Sequence, residues 1–188
     1  MVTMHQRILV YFFLAAAAMA AAGVTRADET SAARGAALLA PFKQELKQAL
    51  LAGLEDGPEN AIGVCKDQAP MIARALSVNG IKVGRSSHRL RNPENAAPDW
   101  VSPILAAYVE AESERAPVAV PLAGEHVGYV EPLIMQPQCL VCHGDALAPD
   151  IASRISAEYP HDQATGFKVG ELRGVFWVEF PVDQSGAP

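Results

Sequence analysis

Cys139 and Cys142 stand three positions apart, and His143 follows directly. Nothing else in the chain constrains its fold as much. Thiols at this spacing can each add to one vinyl group of a haem, forming thioethers. The adjacent imidazole then sits under the iron as proximal ligand. The motif therefore specifies a cofactor (one covalent haem c with its iron), one axial ligand and an oxidising compartment. It leaves the sixth iron position open.

Two other chemistries use C-x-x-C pairs. A zinc site needs a further ligand pair at suitable spacing, and the chain has no second C-x-x-C and no H-x-x-x-H. A thioredoxin-type site needs a βαβ frame and does not call for histidine after the second cysteine. Haem attachment is the reading that uses all three residues.

The N-terminus agrees with export. Met1–Arg7 is short and basic, Ile8–Ala22 is an apolar run, and small residues follow. This predicts a signal peptide over 1–27 and a single domain over 28–188. The apolar run is short for a membrane span, so the processed protein is not expected to be integral to a membrane. Half of the chain is apolar, enough for a real core. The chain carries 15 basic and 21 acidic residues; losing Arg7 and Arg26 with the leader leaves thirteen basic ones and a net charge of −8. Such a domain is poorly suited to nucleic acid or an anionic membrane. It would dock on a basic protein patch, or simply stay soluble. All three cysteines lie in the exported part; with Cys139 and Cys142 used as thioethers, the thiol left to explain is Cys65.

Periodicity predicts a helix over 29–56, with Leu39, Phe42, Leu46, Leu50 and Leu54 on one stripe. Pro41 should kink it or start its second half. Gly57-Pro58 should end it. A second helical stretch is expected over 59–78, interrupted at Pro70 and restarted by an Asp67 cap. Ile81–Arg85 reads as a strand and Arg89–Pro98 as a loop. Asp99 should cap a helix that turns Trp100, Ile104, Leu105 and Tyr108 to one side. Val118–Val120 and His126–Met135 read as strands, with a short helix near 149–158. Phe167–Glu171 and Gly174–Val182 read as a β-hairpin with Phe176, Val178 and Phe180 on one face. The order is helices first, then a mainly antiparallel sheet with one helix inserted, an α+β pattern unlike the all-helical small cytochromes c.

Candidates for the sixth iron ligand are Met71, Met135, His88, His126, His161 and Cys65. Methionine commonly fills this place in electron carriers and raises the potential, but both methionines lie in apolar sequence, where Met is usually core filler. The histidines lie among polar residues. Cys65 follows Ala61, Ile62 and Val64, which predicts burial, at a helix break where a side chain can be aimed; the alternative is a small buried hydrophobe. Arg85 and Arg91 are candidates to pair with the haem propionates, or are ordinary surface arginines.

Several segments together resemble one family. They are Ala61-Ile62-Gly63-Val64-Cys65, Ala69-Pro70, Val83-Gly84-Arg85-Ser86-Ser87 and Leu90-Arg91-Asn92-Pro93-Glu94-Asn95. They continue in Cys139-Leu140-Val141-Cys142-His143-Gly144, Tyr159-Pro160, Asp162, Ala164-Thr165-Gly166-Phe167 and Gly170-Glu171-Leu172-Arg173-Gly174. The pattern is similar to the exported single-haem c-type domain family of unknown function with a PAS-like fold. Its most specific parts are Leu-Arg-Asn-Pro-x-Asn and C-x-x-C-H-G. The chain departs from it at His88 and at Val101, where an acidic residue is expected. The resemblance implies His143 as proximal and Cys65 as distal iron ligand. It also implies a PAS-like, mainly antiparallel sheet with N-terminal helices and covalently bound haem. Thiolate ligation favours Fe(III) and a low potential. The expected role is a periplasmic redox sensor, open to a gas ligand, that signals to a separate redox or signalling protein. The alternative is a small periplasmic electron-transfer cytochrome. A haem enzyme would need a distal acid–base constellation, which the sequence does not supply.

Overall fold

The computed structural model describes residues 4–111 and 115–182, with side chains from Glu29 onward. The leader expected at 1–27 lies outside the residues described with side chains. Among the described residues no helix is long and apolar enough to cross a membrane.

Four antiparallel strands form one sheet: β1 (Lys82–Ser86), β2 (Val118–Leu122), β3 (His126–Ile134) and β4 (Leu172–Pro181), in the order β1-β4-β3-β2. Helix α1 (Met4–Glu55) covers one face. Its Leu39, Phe42 and Leu46 are buried against Val83, Val127, Tyr129, Val178 and Phe180. The other face packs on α4 (Ser102–Glu110) through Val101, Leu105, Tyr108, Val130 and Val175. The expected α+β, mainly antiparallel fold is what the structure has. The expected alternation also holds: Val178 and Phe180 enter the α1 core and Phe176 packs beside them.

Pro41 lies inside α1. Its missing N–H costs one bond to the Ala37 carbonyl, which burial of Leu39 and Phe42 on either side outweighs. Local expectations differ in four places. Pro70 does not interrupt the second stretch. Instead α2 (Pro58–Gly63) widens into a π turn, Val64–Gln68, and continues as α3 (Ala69–Leu76). Ala69 N–H reaches back to the Val64 carbonyl. The wider turn relieves the clash that the Pro70 ring would otherwise make; Asp67 caps nothing. Asp99 is no cap, because α4 starts later with Val101 at the cap position and no side-chain bond. Strand β2 runs through Pro121 to Leu122, tolerable because β2 is a sheet edge. Finally, there is no C-terminal hairpin. Phe167–Glu171 is a turn, with positive φ at Gly166 and Gly170, and β4 instead sits between β1 and β3.

Two tryptophans lie on glycines across the sheet. Gly84 is opposite Trp177, and a Cβ there would come within 2.3 Å of the indole Cζ2. The Trp177 Nε1–H donates to Ser86 Oγ at 3.1 Å. Gly84→Ala should push the ring aside, break that bond and cost about 1–3 kcal/mol. Thermal unfolding followed by tryptophan fluorescence reads the loss; an unchanged midpoint would show that the ring yields freely.

Candidate haem site

The motif residues occupy a tight turn followed by one helical turn, Pro137–Cys139 and then α5 (Leu140–His143). Gly144 ends it, and a Cβ there would strike the Leu140 carbonyl oxygen at 2.7 Å. Cys139 and Cys142 are free thiols, each half-buried. Cys139 packs on the Met135, Ala164 and Phe167 cluster. Cys142 packs on Ile62, Tyr159 and two isoleucines of α6 (Pro149–Glu158), Ile151 and Ile155. Burial pushes the Cys142 thiol up, with Arg91 acting against it.

His143 is oriented by the backbone facing it. Its Nδ1 lies 2.7 Å from the Ala164 carbonyl oxygen. A carbonyl can only accept, so Nδ1 carries the hydrogen and Nε2 keeps its lone pair. This is the tautomer a metal ligand needs, fixed by its partner. Phe167 stands edge-on to the ring, 6.4 Å between centroids. Burial pushes the imidazole down to about 2, helped by Arg173 and Arg91. The ring is therefore neutral at physiological pH and need not shed a proton to ligate.

Arg91 holds this arrangement from behind. It makes a two-pronged ion pair with Asp162, Nε–Oδ1 and Nη2–Oδ2 both at 3.1 Å. Nη2 also donates to the Cys142 carbonyl at 2.6 Å and the Ala164 carbonyl at 3.2 Å. Asp162 Oδ1 further accepts the Ala164 N–H at 2.8 Å. One guanidinium thus joins the motif turn to the carbonyl that orients His143. These are protein partners, and they give Arg91 a role that does not depend on a propionate.

Cys65 lies in the π turn and is half-buried, not buried as its apolar neighbours predict. Its carbonyl accepts from Arg85 Nη2 at 3.2 Å. Its sulfur is within electrostatic reach of Cys142, Tyr159 and Arg173. The structure thus brings Cys65, Arg85 and Arg91 to the motif. Arg173 joins them: burial, then the like charges of Arg85 and Arg91, push it down to about 10. It sits in the Leu172-Arg173-Gly174 stretch of the sequence pattern, yet nothing in that stretch alone marks it as a site residue. The other sixth-ligand candidates are placed less well. Met71 is 59% exposed, while Met135 is fully buried in the cluster behind Cys139. His161 is exposed, and His126 bonds the Gly124 carbonyl in its own turn. His88 is exposed and stands edge-on to Phe167, 6.0 Å between centroids. Among the described residues no group of three or more His, Cys, Asp or Glu side chains gathers as a metal cluster.

The donor set fits a haem: two free thiols, an imidazole with its lone pair kept free, a third sulfur nearby and several guanidiniums for anionic propionates. The sequence profile of the Tll0287-like family matches residues 14–181. The chain belongs to that family. The crystal structure of the cyanobacterial haem protein Tll0287 superposes on it with a TM-score of 0.55 and 24% identity, covering 77% of this chain and 93% of that one. That likeness supports the Tll0287-like fold. Among curated protein sequences, none matches the chain.

Proposed function

We propose that this Tll0287-like chain is a periplasmic haem protein. It carries one haem on thioethers from Cys139 and Cys142, with His143 as proximal and Cys65 as distal iron ligand, and acts as a redox-responsive module. The observation that carries the reading is the Nδ1 bond of His143 to Ala164, which leaves Nε2 available beside two free thiols. Family membership and the haem protein Tll0287 point the same way.

The haem would supply one-electron redox chemistry; the protein supplies its ligands and their surroundings. The Cys65 sulfur, as thiolate, favours the ferric state. With a haem bound there, that bond would weaken on reduction. Arg85 ties the Cys65 carbonyl to β1, so displacement of Cys65 would pull on the sheet edge. Arg85 and Arg173 supply positive charge for the thiolate or for propionates. Val141, inside the motif, is 41% exposed and leaves that edge open to a partner. A small electron-transfer cytochrome is therefore the second reading.

Optical and EPR spectra of the purified ferric and ferrous protein test the ligation, and a redox titration separates the two roles. The sensor reading expects a low-spin thiolate-type ferric spectrum, a low potential and a ligand change on reduction. A high potential with identical ligation in both states would leave only the electron carrier.

A further inference from the structure

A cleft of about 350 Å³ opens beside Phe167. That is at the lower end of the ~300–1,000 Å³ usual for small-molecule sites. His88, Arg89, Arg115, Phe167, Glu171 and Leu172 line it. The geometry points to a binding site for a small organic monocarboxylate.

Arg89 Cζ lies over the Phe167 ring, 4.1 Å from its centroid, with Nε given to the Gln163 carbonyl at 3.1 Å. Among the described residues its terminal N–H groups have no bonded partner. Arg115 is anchored by the Tyr108 carbonyl at 2.5 Å and the Ala111 carbonyl at 2.6 Å, which hold Nε and Nη2; among the described residues Nη1 has no partner. Two positioned guanidiniums with spare donors suit a planar carboxylate. Against them stands Glu171, whose Oε2 already accepts the Lys168 N–H at 2.9 Å. One net positive charge remains on the lining, which matches a monoanion better than phosphate. Val109, 44% exposed, gives the lining an apolar wall that favours a ligand with an apolar body. The local field agrees: burial lowers His88 first, and Arg89, Arg173 and Arg115 lower it further while Glu171 alone raises it.

Phe167 is shared. Its ring is edge-on to His88 at 6.0 Å and to His143 at 6.4 Å. A ligand that draws Arg89 off the Phe167 ring would shift the packing of His143. Binding stands on the cleft itself; its influence on the iron rests on the proposed ligation by His143.

Titration calorimetry of the haem-loaded protein with benzoate, and separately with inorganic phosphate, tests the site. One benzoate should bind, at least tenfold tighter than phosphate. Arg89→Gln should weaken benzoate at least tenfold, and Glu171→Gln should tighten it several-fold. No benzoate heat at millimolar concentration, or unchanged affinity in Arg89→Gln, overturns the site. Phosphate binding as tightly as benzoate overturns the monocarboxylate assignment, as does weaker benzoate binding by Glu171→Gln. Saturating benzoate should also move the ferric EPR g-values; binding without that shift overturns the link to His143 and leaves the site standing.

Discussion

Arg91→Met should destabilise the folded protein by about 3–5 kcal/mol, the range for breaking a buried ion pair from one side. Arg91 and Asp162 are each only 9% exposed, so little solvent screens the loss. Asp162 would be left charged in a poor dielectric, and the Cys142 and Ala164 carbonyls would lose a shared donor. Arg91→Lys should recover part of this at most, since an ammonium cannot reproduce the planar fork that spans Asp162 and both carbonyls. Asp162→Asn should cost less, because an amide oxygen can still accept from Arg91 and from the Ala164 N–H. Urea unfolding of the three variants measures the order, Arg91→Met worst and Asp162→Asn mildest. Equal midpoints would mean that the pair contributes no more than an exposed one. The same variants report on the site, because the Ala164 carbonyl orients His143. Loosening it should broaden the EPR signal of any haem ligated there.

The C-x-x-C-H motif can be read directly because the residues that covalent attachment and ligation would need are adjacent in sequence. The helix expected near 149–158 was legible too, since Ile151 and Ile155 recur at helical spacing and both are buried. The alternation of Phe176, Val178 and Phe180 likewise announced a strand. The partner of Arg91 was not legible, because Asp162 lies 71 positions away. The acceptor for His143 was hidden for a different reason: it is a main-chain carbonyl, and no side chain advertises it. Phe167–Glu171 looked like a strand because Phe167 and Val169 alternate with polar residues. Yet only Phe167 is buried, Val169 is 53% exposed, and the glycines at 166 and 170 turn the chain instead. Pro70 correctly marked a disturbance beside Cys65. That the helix would absorb it by widening rather than stopping depends on Ala61, Ile62, Val64 and Ala69 all finding cover. Only packing decides that.

Cys65→Ala should have the largest effect on the iron. If Cys65 holds the iron as proposed, removing the sulfur would take away an anionic donor and with it stabilisation of the ferric state. The midpoint potential should rise by roughly a tenth to a few tenths of a volt, a fraction of the ~0.8 V range that axial ligands span. The ferric spectrum should lose its thiolate signature and turn high-spin, or take up an added ligand such as imidazole. Stability of the fold should change little by comparison, because Cys65 is only half-buried and its bond to Arg85 runs through the backbone carbonyl, which alanine retains. That separation makes the variant informative. A potential that moves while the urea midpoint stays fixed assigns the effect to ligation and not to a damaged core. A potential and spectrum identical to the parent protein would remove Cys65 from the iron and with it the redox-switch reading. Arg85→Gln then distinguishes the two ways the π turn can matter. If Arg85 acts by charge on the thiolate, the glutamine should lower affinity for that anion and raise the potential in the parent chain but not in Cys65→Ala. If it acts only by holding the Cys65 carbonyl, the glutamine amide can still donate to that oxygen, and the potential should stay where it was.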